Sequence, residues 1–168
     1  MMGKAVLISN RPEWCLPILE RRKTLELRKM IPKLPYPYKI FMYCTRNGVT
    51  LYRSNYDAEI RIYHKMAHES FSNHTVFNGK VIAEWTCDGA LGHCEMANAD
   101  LAEQQGLVKR EKIYEYSGFG EKEVYGLHID NLKIYDKPKE LSEFYRWNGW
   151  YHEQLERPPQ SWMYVEDL

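Results

Sequence analysis

The chain has 168 residues, with 23 Lys/Arg balanced by 23 Asp/Glu, and 44% of it is hydrophobic. That length and apolar content allow one domain with a real core, and the zero net charge excludes a uniformly basic nucleic-acid coat protein. The charge is unevenly spread, since residues 1–40 carry nine basic and three acidic side chains while residues 84–168 carry nine and seventeen.

A polyanion would therefore meet the N-terminal quarter rather than the whole surface. The composition also gives 13 tyrosines and five tryptophans, enough to fill a core and still leave rings for stacking. Cys15, Cys44, Cys87 and Cys94 form no CxxC pair. With no secretory pattern and no apolar run of membrane length, free thiols in a cytoplasmic protein are expected.

In chain order, Lys4 to Ser9 is an apolar run of strand length and reads as a central strand. Asn10-Arg11-Pro12 turns the chain, with Asn10 a candidate cap. Trp14, Cys15, Ile18 and Leu19 then mark a short helix that Pro17 distorts. Arg21, Arg22 and Lys23 suit its C-terminus. Next comes Thr24 to Met30, a strand with Leu25 and Leu27 on one face and Glu26 and Arg28 on the other. The second face is costly to bury without partners, so it lines a wet cleft or carries a surface ion pair.

Three prolines between Pro32 and Pro37 read as a stiff connection. Lys39 to Thr45 is a strand closed by the turn Arg46-Asn47-Gly48. Residues 49–78 read as an insertion and candidate lid, with a helix over Ala58 to Ser70 striped by Ile60, Tyr63, Met66 and Ala67. Lys80 to Cys87 is a third clear strand carrying Glu84, which needs a partner such as Lys23 or Arg28 if its face is buried. Short helices are expected over 99–105 and 111–116, with Ser117-Gly118 as a cap. Strands follow over 123–129 and 132–135, then a helical turn within 140–147 and a last strand near Trp162 to Val165. Strands outnumber crossover helices, which favours an α+β mixed barrel over a doubly wound sheet.

The run Arg21-x-Lys23-x-x-Glu26-x-Arg28 resembles the Gly-x-Lys-x-x-Glu-x-Arg signature of the ASCH domain family, a branch of the PUA-like barrels. Leu7 to Trp14 and Gly79 to Glu84 resemble the first strand and helix and a later barrel strand of that family. Arg21 stands where the family usually has Gly, a residue that ends a helix cheaply in the left-handed conformation. The resemblance implies a PUA-like mixed β-barrel with short flanking helices, and a cleft lined by Lys23, Glu26 and Arg28. It also implies binding of RNA or of a modified nucleoside. Some small relatives are amidohydrolases acting on 4-acetylcytidine. In these the signature lysine is catalytic, and a threonine lies where this chain has Glu26.

The expected ligand-binding residues are accordingly Arg11, Trp14, Lys23, Glu26, Arg28, Tyr43 and Trp162. If the protein is an enzyme, Lys23, Glu26 and Glu84 are the candidate catalytic groups. Glu26 beside Lys23 is expected to hold the ammonium charged. For RNA, Arg11, Arg22, Lys29, Lys33 and Lys39 can follow phosphates, while Trp14, Tyr36, Tyr38, Tyr43 and Trp162 can stack on bases. The alternatives are an amidohydrolase, a protein–protein adaptor using the acidic C-terminal half, and a purely structural ion network. His64, His68 and His74, like Cys87, His93 and Cys94, fall short of a four-ligand zinc pattern. No metal or cofactor is expected.

Overall fold

The computed structural model describes residues 3–64, 71 and 73–168. The elements run β1 (Lys4–Asn10), α1 (Pro12–Leu19), β2 (Leu25–Arg28), β3 (Tyr38–Cys44), β4 (Thr50–Ser54), β5 (Ile60–Tyr63), β6 (His74–Val76) and β7 (Lys80–Cys87). They continue with β8 (Ala90–Leu91), α2 (Ala99–Gly106), α3 (Arg110–Tyr116), β9 (Tyr125–His128), β10 (Asp130–Lys139), β11 (Tyr145–Arg146), β12 (Glu153–Gln154) and β13 (Trp162–Glu166).

The main sheet has seven strands in the order β10-β7-β3-β1-β13-β11-β12. β1 and β3 are parallel neighbours, and the other pairs are antiparallel. Val6 and Ile8 of β1 enter one core with Ile40, Met42 and Ile82, while Ala5 and Leu7 enter another with Phe41, Val81 and Val165. Side chains alternate across a strand, so a strand buried on both faces must be apolar at consecutive positions. This explains the uninterrupted apolar run of β1.

β2 leaves this sheet and pairs with β9, which also pairs with β8, in a second sheet. β5-β4-β6 form a third. Among the described residues, the hydrogen-bonded ladders remain three separate sheets. The architecture is thus α+β with mixed sheets and short helices, but no continuous ladder closes the expected barrel.

Other expectations are corrected. Ile60 to Tyr63 is a strand rather than the start of a helix, because it pairs with Thr50 to Arg53 of β4. Residues 65–70 of that expected helix, including Met66, Ala67 and His68, lie outside the described residues. Within residues 49–78, Leu51 and Phe77 lie in the main core, with Ile60 and Ile62 packed against it. Among the described residues, none of those lining the main cleft comes from this segment. Asn10 does not cap α1: the N-cap is Arg11, without a side-chain cap bond, and Pro12 opens the helix. No helix among the described residues is long and apolar enough to cross a membrane.

Candidate functional site

Arg21 adopts the left-handed conformation, with φ of 60°. The helix therefore ends with the turn that a glycine would make cheaply, and the chain reverses despite the substitution. The backbone N–H groups of Arg22 and Lys23 both donate to the Pro17 carbonyl, at 2.9 and 3.0 Å. The backbone N–H of Thr24 donates to Gln105 O at 2.9 Å, tying the strand entrance to α2.

These constraints bury Lys23, which is only 3% exposed. Its Nζ donates to Gly106 O, at the C-terminal end of α2, at 2.5 Å. A helix C-terminus carries partial negative charge, so the cation is well placed there. Gly106 also lets α2 approach β2, since a Cβ there would lie 3.1 Å from Leu27 Cδ1.

Glu26 is the next buried charge, 6% exposed. Its Oε1 accepts from Arg28 Nε at 3.1 Å and lies 3.0 Å from Arg28 Nη2. Arg28 also donates to Ser9 O at 2.8 Å, to Asn10 Oδ1 and to Ser161 Oγ at 3.1 Å. The guanidinium thereby joins β2 to the end of β1 and the start of β13. Glu26 Oε2 lies 3.9 Å from Lys23 Nζ, too far for a hydrogen bond, and has no hydrogen-bond partner among the described residues. Burial pulls the Lys23 amine below the ordinary lysine range; Glu26 opposes this and Arg28 adds to it. Glu26 thus acts in the expected direction, towards the charged amine, but desolvation is the larger effect.

Lys23, Glu26 and Arg28 line a cleft of about 520 Å³, together with Arg11 and Trp14. Five of the seven expected ligand-binding residues therefore come together. Tyr43 does not: it is buried in the second core, behind the β1–β3 surface. Trp162 is not among the lining residues either, and its Nε1 donates to Met30 O at 2.9 Å. Glu84 is also elsewhere, accepting from Tyr135 Oη at 2.5 Å rather than pairing with Lys23 or Arg28.

The opposite wall was missed in the sequence. α3 contributes Lys112, Ile113 and Tyr116, with Val108 before it. A small core of Cys94, Ala102, Ile113 and Val124 holds this wall together. Tyr116 is 42% exposed and Trp14 40%, so both rings are available in the cleft. Lys29 Nζ lies 4.6 Å from the Tyr116 ring centre. The only signal for Tyr116 was its place one turn after Lys112 on a short helix, which says nothing of what it faces.

Most of the other proposed phosphate and base contacts are occupied. Lys39 pairs with Asp167 at 2.6 Å, Arg22 with Glu20 at 3.0 Å, and Tyr36 stacks on buried Tyr38 with ring centres 5.4 Å apart. All four cysteines are free and buried. Among the described residues, no group of three or more His, Cys, Asp or Glu is placed to hold a metal ion.

No protein-family model matches the chain, and no curated protein does. Solved structures do. A serine-to-alanine mutant of an ASCH protein from Zymomonas mobilis is 15% identical, covering 95% of this chain and 86% of that one, with a TM-score of 0.61. A tyrosine-to-phenylalanine mutant gives 17% identity, 96% and 89% coverage and a TM-score of 0.61. A further ASCH structure from the same organism gives 15%, 95% and 85%, with a TM-score of 0.54. At such identities the likeness speaks for the fold, and it does so over nearly the whole chain. The protein has the ASCH-domain fold.

Proposed function

We propose that the cleft binds a nucleobase, carried by a nucleoside or by RNA. The observation that supports this most is the presence of two accessible rings, Trp14 and Tyr116, in the lining of one cleft with the buried Lys23–Glu26 pair. A flat heterocycle is the ligand that uses both parts: rings stack on its face, and charged groups meet its polar edge. The volume of about 520 Å³ suits a nucleoside-sized ligand. Arg11 and Lys112, both exposed, add positive charge among the lining residues for a phosphate.

Quenching of tryptophan fluorescence tests this reading. Titration with nucleosides and with a short oligoribonucleotide is expected to saturate, and Trp14→Ala is expected to weaken binding by about 1–3 kcal/mol. Absence of saturation with every nucleoside and with the oligonucleotide would overturn it.

A second reading is an amidohydrolase acting on an acylated nucleoside such as 4-acetylcytidine. It is favoured by the buried Lys23 standing 3.9 Å from a carboxylate oxygen without a hydrogen bond. Glu26 replaces a hydroxyl nucleophile here, so the step would use water. Glu26 takes a proton from water, and the oxygen adds to the amide carbonyl. Lys23 stabilises the oxyanion, and collapse releases acetate and the amine, which receives the proton from Glu26. Glu84, bonded to Tyr135, has no part in this scheme. Turnover of 4-acetylcytidine that is lost in Lys23→Ala would support it, and turnover equal to that mutant would sink it for this substrate.

A further inference from the structure

We propose that Glu26 selects the ligand of this cleft by its hydrogen-bonding edge: Oε2 accepts an N–H of a nucleobase, while Lys23 donates to the acceptor atom beside it. The inference rests on the base-binding reading above and names the edge of the base that meets Glu26 and Lys23.

The asymmetry of the carboxylate carries the argument. Both nitrogens of the Arg28 fork that face Glu26 are spent on Oε1. Oε2 is buried without a hydrogen-bond partner. Lys23 Nζ stands 3.9 Å from it and gives its short hydrogen bond to Gly106 O instead. An ionised carboxylate only accepts, and an ammonium only donates. Glu26 and Lys23, both in the cleft lining, thus hold one acceptor and one donor 3.9 Å apart.

Adenine and cytosine carry an amino N–H next to a ring-nitrogen acceptor, and uracil and guanine a ring N–H beside a carbonyl oxygen, so each complements that pair. A base without any N–H sets acceptor against acceptor at Oε2, and the buried carboxylate stays unsatisfied. Buried polar groups left unpaired discriminate strongly between otherwise similar ligands.

Arg28 also fixes what a substitution would do. In Glu26→Gln the guanidinium requires an oxygen at the Oε1 position. The amide nitrogen therefore falls at the Oε2 position and turns the acceptor into a donor.

The test compares the affinities of adenosine with purine riboside and of cytidine with pyrimidin-2-one riboside, by calorimetry at fixed salt. Within each pair the second ligand lacks only the exocyclic amino group, so no bulk is added. The wild-type protein is expected to prefer the amino member by at least ~10-fold. Glu26→Gln, checked for folding by its thermal melt, is expected to lose or invert that ratio. Equal wild-type affinities within both pairs would overturn the inference and leave base binding standing. So would a ratio that survives in a folded Glu26→Gln protein. Failure of all four ribosides, together with uridine, guanosine and a short oligoribonucleotide, to bind would overturn the base-binding reading itself.

Discussion

Arg28 holds Glu26 from two residues along the same strand, with Nη2 3.0 Å from Oε1. Side chains two apart on a strand share a face, so the pair needs no tertiary coincidence to meet. Its burial does: Arg28 reaches on to Ser9 and Asn10 of β1 and to Ser161 just before β13.

Removing the guanidinium would leave a buried carboxylate near a single ammonium. Arg28→Ala is expected to destabilise the fold by about 3 kcal/mol, read as a lower urea midpoint. Arg28→Lys should recover little, because an ammonium cannot reproduce the fork. Stability within about 0.5 kcal/mol of wild type in Arg28→Ala would contradict the buried role.

Lys23 makes stability depend on alkaline pH. Its folded-state amine is held below the ordinary lysine range, chiefly by burial. Between that lowered value and about 10.4, the unfolded chain binds more protons than the folded one. Stability should therefore rise with pH across this window. Urea midpoints from pH 7 to 10, taken as the difference between wild type and Lys23→Met, are expected to shift in favour of wild type. A flat or opposite trend would show that the amine is not depressed.

Arg21 occupies a left-handed position at φ 60°. A non-glycine residue there costs about 1 kcal/mol. The exposed contacts of its guanidinium with Leu132 O, both at 3.3 Å, return little of this. Arg21→Gly is expected to raise the urea midpoint, with a gain of about 0.5 kcal/mol. A loss of stability would mean that the side-chain contacts outweigh the backbone term.

If the ligand is a strand of RNA, Arg11 and Lys112 should meet its phosphates. The affinity for a short oligoribonucleotide is then expected to fall with salt. Arg11→Ala and Lys112→Ala should each flatten the logarithmic salt slope by about 0.7. Lys112 already pairs with Glu115 at 2.9 Å in an exposed position, so its loss should cost the fold little. An unchanged slope in both variants would exclude a phosphate path along these residues.

The central strands and the short helices can be read from the order of apolar and polar residues, and the charged face of β2 with them. β1, β3 and β7 are apolar over whole strand lengths, because strands buried on both faces admit little else. Lys23, Glu26 and Arg28 were legible because the spacing of charge along one short stretch is local information. Trp14 and Arg11 were expected at the site from the ASCH resemblance and as a ring and a cation suited to RNA.

Tertiary structure decided the rest. A strand pattern does not say which sheet a strand joins, so the open ladders and the pairing of β2 with β9 had to be seen. Ile60 to Tyr63 carries a helical stripe, but pairing with β4 overrides local periodicity. Tyr43 and Glu84 lie on strands correctly read, yet neither lines the cleft, since which face of a central strand meets the cleft depends on what packs against it. Tyr116 and Lys112 reach the site only because a small core around Ile113 sets α3 opposite β2. The balance at Lys23 is of the same kind: the sequence names its charged neighbours, but desolvation is a property of the whole packed volume, and there it outweighs them.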